Sequence, residues 1–528
     1  MTFSQWIDCV IVPLCAGVCA LLLSRRCLHF FQLESYQFRG YFRALSRQKE
    51  KAFLRFFILG GVIAVLHLLS GPVLAWLRGV LALTLIPAGI FRYRADAKQP
   101  GKKPIRFTAR VKRLCVTGSI VAPALHIWLA FAFGGFAPSI LLAALAPFVL
   151  ALAAALVWPV ERGIYEFYFQ SAKGILLGQK GLIRIGITGS FGKTSNKFIL
   201  ETLLKEKYSV LTTPGSFNTP MGLCRVIRER LQPGHQVFIA EMGARHRGDI
   251  RELCRLVEPT VGMLTAVGAQ HLDTFKTVER IAETKYDLIR ALPKDGLAVF
   301  MDDGARVKTL YDRTTGIETV LSGREGDDAW ADHITCDGTG SHFDIHFRDE
   351  DETLRCSTTL LGRMNIDNIT ACAALARRMG VTLSQLRRGI SRLKPVEHRM
   401  QLLTNAGGIT VIDDAYNSNP VSGSLALETL KLFSGRRIVV TPGMVELGSE
   451  EAEYNRTFGE KMASCADEVF LVGEKHTAPI REGLLREGFR EDRIHVFGSL
   501  SDAIKYLRTI EQPGDVVLYE NDLPDNYA

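Results

Sequence analysis

Gly186-Ile187-Thr188-Gly189-Ser190-Phe191-Gly192-Lys193-Thr194-Ser195 leaves an apolar run at 182–187 and enters a helical pattern. A strand, a glycine-rich turn and a helix in that order build a phosphate cradle. Backbone N–H groups of the turn and helix N-terminus bind polyphosphate, Lys193 reaches the β/γ-phosphates, and the Thr194 hydroxyl ligates Mg²⁺. The spacing departs from the strict Walker pattern, because five residues separate Gly186 from Gly192 and two separate Gly189 from Gly192. A bare Gly-Lys-Thr also fits a surface loop; the flanking strand and helix favour a nucleotide.

The surrounding chain supports that choice. Runs at 182–187, 209–213, 237–240, 261–267 and 297–301 read as strands with helical periods between them, which predicts an α/β fold with a mostly parallel sheet covered on both faces. Residues 333–361 change to short alternating strands, and 365–380 return to an Ala-rich helix. A second alternation starts near 397, with strands around 409–413, 437–441, 468–472, 494–497 and 515–519. The expected organisation is a helical transmembrane domain at 1–160 and a linker at 161–180. A P-loop ATP-binding domain at 181–396 and a Rossmann-like α/β domain at 397–528 follow, with a cleft between these two.

The front of the chain is of another kind. Across 528 residues, 47% are hydrophobic, and the excess lies in runs at 6–23, 56–69, 72–91, 114–133 and 140–159. Most of these are long enough to cross about 30 Å of hydrocarbon. The run at 56–69 is short and the next carries Arg78, so an interfacial or re-entrant helix pair is the alternative there. The segments between the first and second runs and between the third and fourth together hold seventeen Lys and Arg, against Glu34, Glu50 and Asp96. Such loops stay on the cytoplasmic side. Five crossings of the cell membrane with the phosphate motif in the cytosol satisfy this pattern. The first run lacks a basic lead-in and is followed by Arg25 and Arg26, which reads as an anchor rather than a cleaved signal.

The net charge of +9 is mostly explained by these loops. They serve topology alone, or they also meet anionic lipid headgroups or a polyprenyl phosphate. No aromatic-interleaved basic stripe, zinc spacing or recognition-helix pattern points to nucleic acid. The eleven cysteines show no Cys-x-x-Cys pair, which suits reduced, packed thiols.

The variant Thr-Gly-x-x-Gly-Lys-Thr resembles the Mur ligases, ATP-dependent amide ligases of peptidoglycan precursor synthesis. Further matching words follow in the same order: Gly215-Ser216-Phe217-Asn218, Glu241-Met242-Gly243, His271-Leu272-Asp273, Lys285, Asn365-Ile366-Asp367-Asn368, His398-Arg399-Met400 and Asp413-Asp414-Ala415-Tyr416-Asn417-Ser418-Asn419-Pro420. The last resembles the branch that ligates D-alanyl-D-alanine. The resemblance covers roughly 181–520 and implies ATP and Mg²⁺ as cofactors.

By this resemblance Thr188, Gly189, Ser190, Gly192, Lys193, Thr194 and Ser195 hold the nucleotide phosphates. Glu241, His271 and a carbamylated Lys285 support metal with Thr194, Asn365 and Asn368 contact adenine, and Arg399 and Asp414 close on the nucleotide. Ser216, Asn218, Asn417 and Asn419 contact the substrates. Taken singly, each has a plainer reading: a loop acid for Glu241, a packed histidine for His271, an ion-paired surface lysine for Lys285, a helix cap for Asn365, a surface salt bridge for Arg399 and turn chemistry for the 414–419 loop.

Three words depart from the family. Its Thr-Asn-x-Gly stands here as Thr265-Ala266-Val267-Gly268, its Gly-x-His-Asn as Arg363-Met364-Asn365, and its C-terminal Lys-Gly-Ser-Arg as Tyr519-Glu520-Asn521-Asp522. Membrane-like sequence also stands where the family has a soluble UDP-sugar-binding domain. The expected function is a membrane-bound ligase that activates a lipid-linked or UDP-linked cell-wall precursor as an acyl phosphate and adds an amino acid or dipeptide. The alternatives are a polyglutamate-type synthetase, or a non-catalytic ATP-binding membrane scaffold.

A reporter fused after Ala528 and a cysteine label in the 92–113 loop are expected to report the cytosol, and a label beside Gly135 the outer side. Outward labelling of the 92–113 loop would overturn the five crossings and leave one crossing over 56–91.

Overall fold

Among the described residues, the apolar runs at the front are mostly helical. The computed structural model describes residues 1–521 apart from 35, 48, 70–73, 99–104, 338–339, 396–397, 399, 405–406 and 416–417. They divide into two compact units, Met1–Glu166 and Phe167–Leu523.

In the first unit, helices α1 (Phe3–Leu23), α3 (Ala75–Lys98), α4 (Ala109–Ala132) and α6 (Ala146–Gly178) are long and apolar enough to cross a membrane. The apolar part of α2 (Lys49–Leu68), Phe53–Leu68, is shorter. The run expected at 140–159 is broken: a short α5 (Pro138–Ala144) precedes α6, and α6 continues through Pro159. Arg78 lies inside this unit, 3% exposed, because Asp8 neutralises it through bonds of 3.0 and 2.8 Å and the Leu69 carbonyl accepts a third at 2.6 Å. An unpaired guanidinium could not be held there. The ten described cysteines are free, and nine are buried.

The second unit begins inside α6. There Lys173 pairs with Glu258 at 2.7 Å and Arg228 lies over the Tyr168 ring, so the stretch expected as a linker packs as part of this unit. Fifteen strands follow among the described residues. The first sheet contains β1 (Ile183–Thr188), β2 (Val210–Thr212), β3 (Val237–Glu241), β4 (Val261–Leu264), β5 (Leu297–Met301) and β6 (Glu318–Ser322), then β7 (Ala329–Asp337), β8 (Gly340–Phe347) and β9 (Leu354–Thr358). Its order is β2-β3-β1-β4-β5-β6-β7-β8-β9, parallel through β7 and antiparallel across β7, β8 and β9. The inner strands are continuous apolar runs because helices cover both faces, whereas β8 alternates, with Phe343, Ile345 and Phe347 buried.

The second sheet contains β10 (Gln401–Thr404), β11 (Thr410–Asp414), β12 (Arg437–Thr441), β13 (Glu468–Val472), β14 (Ile494–Phe497) and β15 (Val516–Glu520), in the order β10-β11-β15-β12-β13-β14. It is parallel except for β10. The α/β class and the pair of sheets therefore agree with the sequence. Strands β6 and β10 are additions to it.

In β1 the residue pairs Ile187↔Glu241 and Thr188↔Leu264 bring the C-terminal ends of β1, β3 and β4 together, where open α/β sheets place their ligands. Helices α7 (Lys193–Leu204), α8 (Val278–Arg290), α9 (Arg363–Arg378) and α10 (Pro420–Leu430) bring the remaining site residues to these ends.

Candidate active site

The turn after β1 can exist only with glycine at two places. A Cβ on Gly189 would sit 1.9 Å from Thr265 Oγ1, and Gly192 caps α7 with a φ of +79°. Ser190 ties the turn down by exchanging two 3.0 Å bonds with Gly268, and Thr188 Oγ1 donates to the Met242 carbonyl at 3.0 Å. These two hydroxyls hold the loop in shape, and Ser195 is buried on the first turn of α7. Lys193 Nζ folds onto the Gly189 and Ser190 carbonyls at 2.7 and 3.1 Å. Cationic amine, N-terminal helix amides and a glycine turn thus face one small volume, which suits a polyphosphate.

Glu241 ends β3 with its carboxylate 1% exposed. Its Oε2 accepts from Thr194 Oγ1 at 3.0 Å and from Lys197 Nζ at 3.1 Å, and its Oε1 accepts from Asn218 Nδ2 at 3.1 Å. Thr194, Glu241 and Asn218, picked out singly in the sequence, therefore converge, while Ser216 is half-buried in the turn beside them. Lys197 was missed. It is fully buried, also donates to the Gly215 carbonyl, and burial pushes its pKa down against the pull of Glu241. Its signal was the spacing Lys193-x-x-x-Lys197, which puts both amines on one face of α7.

Lys285 is no surface lysine. It is 2% exposed on α8 and donates to the Gly189 carbonyl at 2.8 Å. Burial first, and then the nearby Lys193 charge, push its pKa well below the ordinary lysine range. His271 has a φ of +53°, and its Nδ1 pairs with Glu446, which reaches across from the second α/β layer and also has a positive φ of 66°. Burial lowers the histidine pKa, and Glu446 opposes that shift.

The two asparagines of α9 behave differently. Asn368 is 1% exposed and accepts from Asn196 Nδ2 at 2.5 Å, beside Gly192, leaving its own buried Nδ2 with no hydrogen-bond partner among the described residues. Asn365 donates to the Leu361 carbonyl at 2.8 Å at the start of the helix. At the C-terminal end of β11, Asp414 Oδ1 accepts from the Met400 amide at 3.1 Å. Asn419 caps α10, its Oδ1 accepting from the Val421 and Ser422 amides. Arg399 and Asn417 lie outside the described residues.

Glu520, at the C-terminal end of β15, is the second group that sequence reading passed over as a site residue. It is completely buried, accepting from Ser418 Oγ and from Thr441 Oγ1, the latter at 3.0 Å. Asn521 continues the link, accepting from the Ser418 amide at 3.0 Å and donating to the Gly443 carbonyl at 2.6 Å. Burial, with Asp414 nearby, raises the Glu520 pKa to about 8. The pair fastens the described end of the 414–419 loop to the sheet.

Comparisons with known proteins divide the chain along the same lines. A model of the Mur ligase middle domain matches residues 187–376, and one of the Mur ligase glutamate ligase domain matches 398–519. The UDP-N-acetylmuramoyl-tripeptide--D-alanyl-D-alanine ligase of Bacillus subtilis (strain 168) is 28% identical over 347 residues, covering 65% of this chain and 74% of its own. Its counterpart from Mycobacterium tuberculosis (strain ATCC 25618 / H37Rv) is 32% identical over 360 residues, covering 64% and 70%. The crystal structure of MurF ligase from Thermotoga maritima in complex with ADP superposes with a TM-score of 0.61 at 29% identity, over 68% of this chain and 80% of that one.

Glu520 generates a pH dependence. A carboxyl with a pKa of about 8 in the fold and 4.5 outside it takes up a proton on folding between those values. Stability therefore falls as pH rises through that window, and is fully free of the penalty only below the lower value. Glu520→Gln keeps the shape and cannot ionise, so it is expected to shrink the drop in melting temperature between about pH 5 and about pH 9. Equal drops in the two proteins would show that Glu520 is not held neutral.

Proposed function

The chain belongs to the Mur ligase family, and from that membership we propose that it joins an acceptor carboxylate to an incoming amine with ATP as the activating reagent, in peptidoglycan-type synthesis. A carboxylate is a poor electrophile. Its oxygen attacks the terminal phosphorus of ATP and ADP leaves; the amine then attacks the acyl carbon of the resulting acyl phosphate, and phosphate and a proton leave. The enzyme's work is to clamp phosphate, offset charge and align the two attacks.

The observation that carries this reading is the junction of Thr194, Lys197 and Asn218 on the buried Glu241 carboxylate, directly under the phosphate turn. Thr194 and Glu241 supply the hard oxygens that suit Mg²⁺, with Lys197 donating to the same carboxylate. Mg²⁺ bound there offsets phosphate charge. His271 fits a metal less simply, because Glu446 occupies its Nδ1. Asn368, whose Oδ1 lies beside Gly192, has a buried Nδ2 with no hydrogen-bond partner among the described residues, which suits a nucleotide acceptor atom.

Lys285 has the chemistry for carbamylation. Burial favours its neutral amine, whose lone pair attacks CO₂ with loss of a proton and leaves a carboxylate near the Lys193 cation. The incoming amine is read as a dipeptide or amino acid, since the relatives are named as D-alanyl-D-alanine ligases. The four long apolar helices and the short one support a multi-pass membrane anchor with the ligase part in the cytosol and an acceptor presented at the membrane.

The direct test is ADP and phosphate release by the detergent-solubilised full chain across amino acids and D-dipeptides, with UDP-linked and lipid-linked muramoyl peptides as acceptors. Release that needs both an acceptor and an amine is expected; release indifferent to both would overturn the ligase reading. Lys193→Ala should abolish turnover. Lys285→Ala should lower it by roughly 10–100-fold, the cost of losing a metal-supporting group, and short carboxylates should restore part of it. An undiminished Lys285→Ala enzyme would remove the lysine from the machinery.

A further inference from the structure

A narrow recess opens in the first unit between the start of α4 and the middle of α6. Its mouth is built from charge and aromatic rings. Arg110 lies over the Tyr36 ring at 3.9 Å and stands 3.7 Å from Glu161, and Trp158 completes the rim. Glu161 is already engaged by Arg113 through bonds of 2.6 and 3.0 Å, so the group of three carries one net positive charge. The wall turns apolar at once, with Leu114 on α4 and Ala154 and Val157 on α6.

A second narrow recess lies one helical turn farther along α4, where Gly118 and Ala122 line it with Ala20 and Leu21 of α1 and with Val149 and Leu150 of α6. The small side chains at Gly118, Ala122 and Ala146 leave the gap. From Leu114 to Ala122 the apolar track is about 12 Å long at 1.5 Å per residue. It ends at His126, which is 1% exposed and whose Nδ1 has no hydrogen-bond partner among the described residues. A hydrocarbon chain gains by filling the track and has no reason to pass that polar atom.

We propose that this seam is a binding site for a phosphate-headed lipid, its anionic head on Arg110 and Arg113 at the aromatic mouth and its hydrocarbon tail along Leu114, Ala154 and Gly118. The inference rests on the reading that the first unit lies in a membrane. There, arginines, Tyr36 and Trp158 stand where a headgroup lies, since aromatic and basic side chains gather at that depth. A phosphate takes over the guanidinium bonds now made to Glu161, in the charge-assisted geometry arginine favours. The head would also place a lipid-attached acceptor at the cytosolic rim of the bilayer, the side on which the ligase chemistry is proposed.

The test is photo-crosslinking of the full chain in phosphatidylcholine nanodiscs with an isoprenyl monophosphate whose tail carries a diazirine. Saturable labelling that maps to α4 and α6 is expected. Arg110→Gln should weaken it about tenfold, the size of one lost charge-assisted hydrogen bond. Ala154→Leu, which fills the track without touching charge, should weaken it as well. Arg94→Gln, an exposed charge removed elsewhere, should label like the wild type, and the matching isoprenyl alcohol should label at the Arg110→Gln level. Equal labelling by alcohol and phosphate, competition by inorganic phosphate alone, or equal losses in Arg94→Gln and Arg110→Gln would overturn the site. ATP-dependent ligation of a UDP-linked acceptor, measured on the same wild-type preparation, reports separately on the ligase reading.

Discussion

A carboxylate sealed from water must be compensated, and the ligase part of this chain is arranged around how Glu241 achieves that. Its three partners come from a helix start, a helix interior and a separate loop, so one buried charge fixes the end of β3, the first turns of α7 and the 215–218 loop relative to each other. Removing one member of such a buried set typically costs about 3–5 kcal/mol, because the remaining charge is stranded. The same arrangement gathers the Thr194 hydroxyl and the Lys197 amine on one carboxylate, just past the phosphate turn.

The strands were legible almost to the residue because parallel strands covered on both faces must be continuous apolar runs; β3, β5, β12 and β13 are of this kind. Strand β6, Glu318-Thr-Val-Leu-Ser, carries polar residues at both ends, and β10 is four residues beside a dense motif, so neither stands out by pattern. The P-loop and Glu241 could be read because their chemistry is local to a strand end. Lys197 left only its spacing from Lys193 as a signal and Glu520 left none, since nothing in a sequence reports that a charged side chain is fully enclosed. Asn365 and Asn368 share a helical face on paper, and only the packing shows that one serves its own helix start while the other reaches the phosphate turn.

His271 and Glu446 show a different economy. Both sit in the left-handed region, which non-glycine residues tolerate at a cost of about 1–3 kcal/mol and keep mainly where function demands it. They meet each other across the junction of the two α/β layers. A contact sustained by two strained residues therefore ties the two layers together at a point where both backbones depart from their ordinary range.

The sheet order has a consequence for how the chain is made. Strand β1 is flanked by β3 and β4, and Ile183 pairs with Val237 while Ile185 pairs with Val261. The strand that carries the phosphate turn therefore emerges from the ribosome long before either neighbour exists. Domains fold largely as units during synthesis, and non-local parallel pairing is slow. The apolar helices are complete well before the nucleotide cradle closes, so a translation pause or truncation before β4 leaves a chain with its hydrophobic front finished and an exposed, unpaired Ile-Arg-Ile-Gly-Ile edge, the form that quality-control machinery would have to recognise.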